Sequence, residues 1–508
     1  MTADASVRQL ADQVLIPPFR GTTAPAWLLS ALEGGLAGVT LFAPNMEAGA
    51  DALAALTASL RAVAGDVLVA ADEEGGDVTR VWYGNGSPYP GNAALGAVDD
   101  VTLTEQVHAA IGRDLAALGI NFDLAPCLDV LAAPLNPVVG TRSFGAVPDL
   151  VARHGVAAVR GLQSAGVAAC AKHFPGHGST VQDSHAALAV VEGVMTDVMT
   201  RDLPPFRAAI EAGVLTVMPG HLRVPELTGD LPASLSAAAI ALLRGDLGFT
   251  GVVATDALEM RAVADPYGVP GASVRALAAG CDLLCLGRDV GQEGYLAARA
   301  AIVAAVRSGE LPGSRLEEAA TRVAGLRARL AAQRADGAGG TGPDSGDSPG
   351  VTGRDVTGPA KDQVGLVAAR RALRLTGPRP RLSDPVVVEV EPIVNMAAGH
   401  AHWGLTGWVP AENLRRIASS PDPVAAATAT LKAATDRSLV LAVRDAHRSA
   451  ATQALVTSVL AERPDAVLVE MGLPYWQPPA GTYQSYLATF GASRANTRAA
   501  AEILGFAS

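Results

Sequence analysis

The stretch Lys172-His-Phe-Pro-Gly-His-Gly178, followed by Asp183-Ser-His185, gathers a cation, several imidazoles and a carboxylate in one short segment. It leaves the apolar run Gly166-Val-Ala-Ala-Cys-Ala171, so its polar groups collect where a buried strand ends. Two glycines and a proline make the following residues a loop rather than a helix. Asp183 and His185 stand two positions apart on that loop. A carboxylate in such a position can orient an imidazole and raise its basicity, as general acid–base chemistry requires. The competing view is a polar surface turn.

Asp256 closes the run Gly251-Val-Val-Ala-Thr255. A carboxylate at the mouth of a buried strand is costly unless it is hydrogen-bonded and faces a polar cavity. There an ionised Asp can attack an electrophilic carbon or stabilise a cation; otherwise it caps the helix that follows. Asp72, in Val69-Ala-Ala-Asp-Glu-Glu-Gly-Gly76, also sits at a strand end, where glycines allow close approach of a ligand. It can accept two hydroxyl hydrogen bonds, or serve as a structural partner of Arg80. Glu73 and Glu74 read as supporting residues. Asn136-Pro-Val-Val-Gly-Thr-Arg142-Ser-Phe-Gly145 adds a loop arginine whose planar fork suits a carbonyl or several hydroxyls. Met218-Pro-Gly-His221 ends another strand beside the same mouth. These parts include no cluster of metal ligands and no Gly-rich nucleotide cradle, so no cofactor is expected. A neutral, hydroxyl-rich substrate fits them best. Glycoside cleavage is the matching reaction: one group attacks the anomeric carbon and another protonates the leaving oxygen, and His185, oriented by Asp183, is the expected acid.

The elements that must position these residues are legible from pattern. Eight short apolar runs alternate with Ala/Leu-rich amphipathic stretches: they begin at Val14, Gly38, Val67, Phe122, Ala168, Val214, Val252 and Asp282. Continuous rather than alternating apolarity predicts parallel strands buried on both faces. The fold class expected is α/β, a (β/α)8 TIM-like barrel over residues 1–331. Barrel enzymes place their chemistry at the C-terminal strand ends, where Asp72, Lys172, His173 and Asp256 fall. Residues 332–361, rich in Gly, Pro and Asp, read as a linker. Residues 362–508 read as a smaller α/β domain with a mostly parallel sheet: a helix over 364–375, and strands over 386–390, 439–443 and 466–470. His400 and His402 there are expected in a solvated turn.

Bulk properties exclude several classes. The 508 residues carry a net charge of −11 and no Lys/Arg-rich block, which argues against nucleic acid or an anionic membrane as partner. No apolar run approaches the roughly 18 residues needed to span a bilayer. The N-terminal residues lack a basic region followed by an apolar core, so a cytoplasmic location is expected. Cys127, Cys170, Cys281 and Cys285 lie in or beside apolar runs and read as reduced core residues.

Together, Lys172-His-Phe-Pro-Gly-His-Gly-Ser-Thr-x-x-Asp183-Ser-His185, Asp72-x-Glu-Gly-Gly, Asn136-Pro…Arg142-Ser-Phe-Gly and Thr255-Asp256 resemble glycoside hydrolase family 3 β-N-acetylglucosaminidases of the NagZ type, in the same order. The resemblance covers most of residues 10–330. It continues loosely beyond, where Tyr486-Leu-Ala-Thr-Phe-Gly-Ala-Ser is similar to longer, two-domain members. It implies a retaining two-step mechanism with Asp256 as nucleophile, His185 as acid/base and Asp183 as its dyad partner. It further implies that Asp72, Arg80, Arg142, Lys172 and His173 bind N-acetylglucosamine, and that the loop between Gly176 and His185 closes over the sugar. Ser179 stands where many relatives carry Asp, and Asp77 where many carry Arg. The implied substrates are N-acetylglucosamine-containing oligosaccharides, from peptidoglycan turnover or chitin. A β-N-acetylglucosaminide phosphorylase on the same scaffold, and a non-catalytic sugar-binding relative, are the competing expectations.

Overall fold

The computed structural model describes residues 3–182, 188–191, 193–339, 361–391, 397–399, 404–418 and 422–507. Asp183, His185, His400 and His402 lie outside the described residues. The chain divides into two compact units: Met1–Glu73, Thr104–Ala132 and Ala146–Gly358 form the first, and Glu74–Leu103, Ala133–Gly145 and Pro359–Ser508 the second.

Each apolar run of the first unit supplies one strand: β1 Leu15–Ile16, β2 Gly38–Thr40, β3 Leu68–Ala71, β4 Phe122–Asp123, β5 Ala168–Phe174, β6 Thr216–Pro219, β7 Val252–Val253 and β8 Leu284–Cys285. From β2 to β7 neighbours pair in parallel, and β8 pairs in parallel with β1. A parallel bridge between Ala254 and Leu283 joins β7 to β8. The Thr40 amide donates to the Pro17 carbonyl at 3.2 Å and joins β2 to β1, closing the ring. This is the TIM-like barrel expected from the run pattern.

Alternate strand residues fill its interior: Ile16, Ala70, Phe122, Cys170, Met218, Ala254 and Cys285 belong to one buried cluster. Because strand side chains repeat with period two, the next interior positions after Ala70, Cys170 and Ala254 are Asp72, Lys172 and Asp256. The helix Gly313–Gly339 closes the opposite end. Its Val323, Leu326 and Leu330 join the interior cluster. Its Arg315 and Arg322 bind Asp282, just before β8, at 2.6 and 3.1 Å, and Arg327 binds Asp66, before β3, at 2.6 Å. A floor made by this helix leaves the C-terminal strand ends as the open mouth. The helix also runs through the first residues of the stretch read as linker, since Ala332-Gln-Arg-Ala are good helix formers. The remainder of that stretch, to residue 360, is outside the described residues.

In the second unit six strands form one sheet: β9 Arg374–Thr376, β10 Val386–Val390, β11 Leu414–Ile417, β12 Leu439–Val443, β13 Val467–Glu470 and β14 Ser485–Ala488, in the order β9-β14-β13-β12-β10-β11. All pairs are parallel except β9 with β14. Val386, Val388 and Leu441 pack on one face, and Val387, Val440 and Leu487 on the other. The helix expected over 364–375 instead spans Lys361–Ala372 and gives way to β9. β9 and β11 pair on only one side, and Arg374 and Arg415 are exposed, so neither reads as an apolar run.

Candidate active site

Two strand-end residues meet at the barrel mouth. Lys172 Nζ donates to Asp72 Oδ1 at 2.8 Å, with side-chain exposures of 3% and 20% respectively. A lysine so buried needs this carboxylate, because desolvating an unpaired ammonium costs several kcal/mol. Asp72 is bracketed on β4: the Leu124 amide donates to Ala71 O at 2.8 Å, and the Glu73 amide to Asp123 Oδ1 at 2.9 Å.

Behind them lies a hub, Asp129, which the sequence reading passed over. This fully buried carboxylate accepts on Oδ1 from the amides of His173 (3.2 Å) and His177 (2.7 Å). On Oδ2 it accepts from the His173 ring Nδ1–H (2.7 Å) and the Cys127 thiol (3.1 Å). Burial alone would push its carboxyl up, but the His173 ring and its hydrogen bond, His177, and the His177 amide together hold it well below the usual carboxylate range. The Asp129 carboxylate can only accept, so it holds a proton on His173 Nδ1 and fixes the orientation of the ring. Cys127, Asp129 and His173 bring ligand atoms within 4.8 Å of one another. Their mutual hydrogen bonds account for that closeness.

The glycines of this loop serve close packing. A Cβ on Gly178 would lie 1.9 Å from Val130 O; one on Gly176, at φ +135°, would lie 2.5 Å from Asp202 Cβ. The loop is thus pressed against the segment that carries Asp129.

Across the barrel, Asp256 is half-buried and accepts its own neighbour's amide, Ala257 N, at 2.8 Å. The next helix begins at Arg261 with Met260 as its cap, so Asp256 caps no helix. His221, fully buried, donates from Nε2 to Ala257 O at 2.9 Å and accepts at Nδ1 from Ser234 Oγ at 2.7 Å, which fixes the turn after Asp256. Burial pushes the Cys285 thiol up to about 12, against its hydrogen bond with Thr40. The four cysteines are buried and unbridged.

In the second unit Arg142 and Glu74 form a buried two-pronged pair, Nε to Oε2 at 2.9 Å and Nη2 to Oε1 at 2.7 Å. Arg80 Nη2 donates to Ala397 O at 2.9 Å. Asp77 accepts from Thr141 Oγ1 (2.7 Å) and the Ala492 amide (2.9 Å), and pairs with Arg444 at 2.5 Å. It ties together four segments of that unit, a structural role for the aspartate found at this position.

The sequence profile described as glycosyl hydrolase family 3 N-terminal domain matches residues 13–326. The chain belongs to glycosyl hydrolase family 3. A β-hexosaminidase of Mycobacterium tuberculosis, LpqI, is 39% identical over 265 residues, covering 51% of this chain and 67% of the relative. A β-hexosaminidase of Thiobacillus denitrificans is 37% identical over 254 residues, covering 48% and 70%. Among solved structures, a glycoside hydrolase family 3 β-N-acetylglucosaminidase from Paenibacillus sp. FPU-7 superposes with a TM-score of 0.84 at 32% identity, covering 99% of this chain and 97% of that one.

In this family 3 member the first unit brings together Asp72, Lys172, His173 and Asp256 around the barrel mouth, and the second holds Arg80 and Arg142. Of the residues missed, Asp129 had a faint signal: a carboxylate two positions beyond the buried Cys127, shortly after a strand. Asp123, inside the run Phe122-Asp-Leu, had only the cost of burying it.

Proposed function

We propose that this family 3 glycosidase is a retaining exo-β-N-acetylglucosaminidase that removes non-reducing terminal N-acetylglucosamine from peptidoglycan fragments or chitooligosaccharides. The observation that carries the reading is the placement of Asp72 and Asp256 at interior positions of one barrel mouth, Asp72 held by Lys172 and Asp256 by the turn that His221 fixes. The names borne by the relatives and the Paenibacillus structure support the choice of sugar.

Asp256 attacks C1 of the sugar and forms a glycosyl-enzyme bond. His185, oriented by Asp183, gives its proton to the departing glycosidic oxygen. The neutral His185 then takes a proton from water, which attacks C1 and frees Asp256. Asp72 accepts hydrogen bonds from sugar hydroxyls, and Lys172 and His173 supply the complementary polar atoms. No cofactor takes part. Among the described residues no helix is long and apolar enough to cross a membrane. A cytoplasmic enzyme belongs to this reading, tested by cell fractionation.

The deciding assay is cleavage of p-nitrophenyl β-N-acetylglucosaminide with and without phosphate, with the sugar product identified. Free N-acetylglucosamine in both supports the reading; N-acetylglucosamine 1-phosphate would replace it with a phosphorylase. Asp256→Ala should abolish turnover. His185→Ala should slow chitobiose cleavage far more than cleavage of the nitrophenyl glycoside, whose leaving group needs little protonation. Equal losses would overturn the acid role.

A further inference from the structure

Asp123 ends β4 with no solvent exposure. Its Oδ1 accepts the Glu73 amide at 2.9 Å, while its Oδ2 is buried without a hydrogen-bond partner. The charged groups acting on it are Glu73, Asp72 and Lys172, with the neutral Cys170 thiol also near. Two of the three charges are negative, and the one cation already binds Asp72 at 2.8 Å. An ionised Asp123 would thus bury an uncompensated charge with one oxygen bare, among the costliest arrangements a protein interior can hold. As an acid it keeps the acceptor that Glu73 needs and removes the charge.

We propose that Asp123 is carried as an uncharged carboxylic acid and, in that state, is the positioning residue for the turn that presents Asp72. The geometry explains why the turn needs it. Immediately before Asp72 the Ala71 carbonyl is tied to β4 through the Leu124 amide, and immediately after it the Glu73 amide is tied to β4 through Asp123 Oδ1. Beyond Ala71 the β3–β4 ladder has ended, since its last paired residues are Ala71 and Asp123. The Asp123 side chain therefore extends the ladder by one link and clamps Asp72 between two fixed points. Burial, reinforced by the charges of Glu73 and Asp72, pushes the Asp123 carboxyl well above its ordinary value, in keeping with the neutral form.

The consequence for sugar binding rests on the proposed function; the acid and its clamp do not. Asp123→Asn keeps the acceptor without the acid, and Asp123→Leu removes both. In the whole protein at neutral pH, the infrared difference between wild type and Asp123→Asn should contain the carbonyl band of a protonated carboxyl. Asp123→Asn should leave the Glu73 amide as protected from hydrogen exchange as in wild type, with KM for the β-N-acetylglucosaminide changed by less than about threefold. Asp123→Leu should speed exchange at Glu73 and raise KM about tenfold, with a smaller change in kcat, because misplacing a positioned group degrades binding geometry. Absence of the acid band, or an Asn variant whose Glu73 amide exchanges as fast as in the Leu variant, would overturn the proposal. If Asp123→Leu does not fold, the infrared and exchange results on Asp123→Asn still decide it. A wild-type enzyme inert toward the glycoside would refute the proposed function and leave both spectroscopic tests standing.

Discussion

Asp129→Asn separates charge from shape at the hub of the Lys172–Gly178 loop. The amide oxygen of Asn can retain the two backbone donors, His173 N and His177 N. Its NH2 group then faces the His173 Nδ1–H and the Cys127 thiol, two donors. His173 can relieve the clash by giving up the proton on Nδ1, so the variant should shift its ring tautomer. Losing a hydrogen bond to a buried charged group costs about 1.5–3 kcal/mol, and an unsatisfied buried donor adds about 1–3, so about 2.5–6 kcal/mol of stability should disappear. Urea denaturation at pH 7 measures the loss, nitrogen-15 NMR of the histidine rings reads the tautomer, and KM reads the change at the site. The pH dependence gives a second check. The folded carboxyl titrates below its unfolded value of about 3.9. The stabilisation that Asp129 provides is therefore complete above about pH 4 and fades only as pH falls further, where wild type and variant should converge. A variant within about 1 kcal/mol of wild type at pH 7, with the His173 tautomer unchanged, would refute the hub, because the difference would be smaller than one charged hydrogen bond.

Asp282→Ala should cost about 3–5 kcal/mol, since it leaves Arg244, Arg315 and Arg322 facing one another at the barrel floor without their shared carboxylate; a loss below about 1 kcal/mol in urea denaturation would contradict the account. Glu470 in the second unit is pushed up to about 8 by burial and by Asp445, although it accepts the amides of Asp445, Ala446 and Gly472. Its native state holds a proton that the unfolded chain releases above about pH 4.3. Stability of that unit should therefore fall as pH rises from about 4.3 to 8 and level off beyond, and Glu470→Gln should flatten the slope; an unchanged slope in thermal melts across that range would refute it.

Much of the barrel was readable because its strands are buried on both faces. Such strands must be apolar along their whole length, so Val67–Ala71, Ala168–Ala171 and Val252–Ala254 stand out locally, and a charged residue ending one is conspicuous. Asp72, Lys172 and Asp256 were found in this way, and the period-two rule that made their runs visible also turns them toward the interior. The edge strands β9 and β11 and the helix closing the barrel floor were not readable. Exposed arginines break the apolar signal of the first two, and the floor helix carries an ordinary amphipathic pattern whose apolar stripe could face any core.

By itself, then, the order of residues determined the parallel barrel, the carboxylates and lysine at its mouth, and the family pattern they compose, because each depends on nearest neighbours along the chain. Only the tertiary structure decided the partners. Lys172 meets Asp72 across 100 positions, Asp129 meets His173 across 44, and Glu74 meets Arg142 across 68. It likewise decided that residues 74–103 and 133–145, which precede β4 and β5 in sequence, cluster with the second unit rather than with the barrel. A carboxylate's role depends on which cation or amide the folded chain brings within about 3 Å, and no local pattern encodes that meeting.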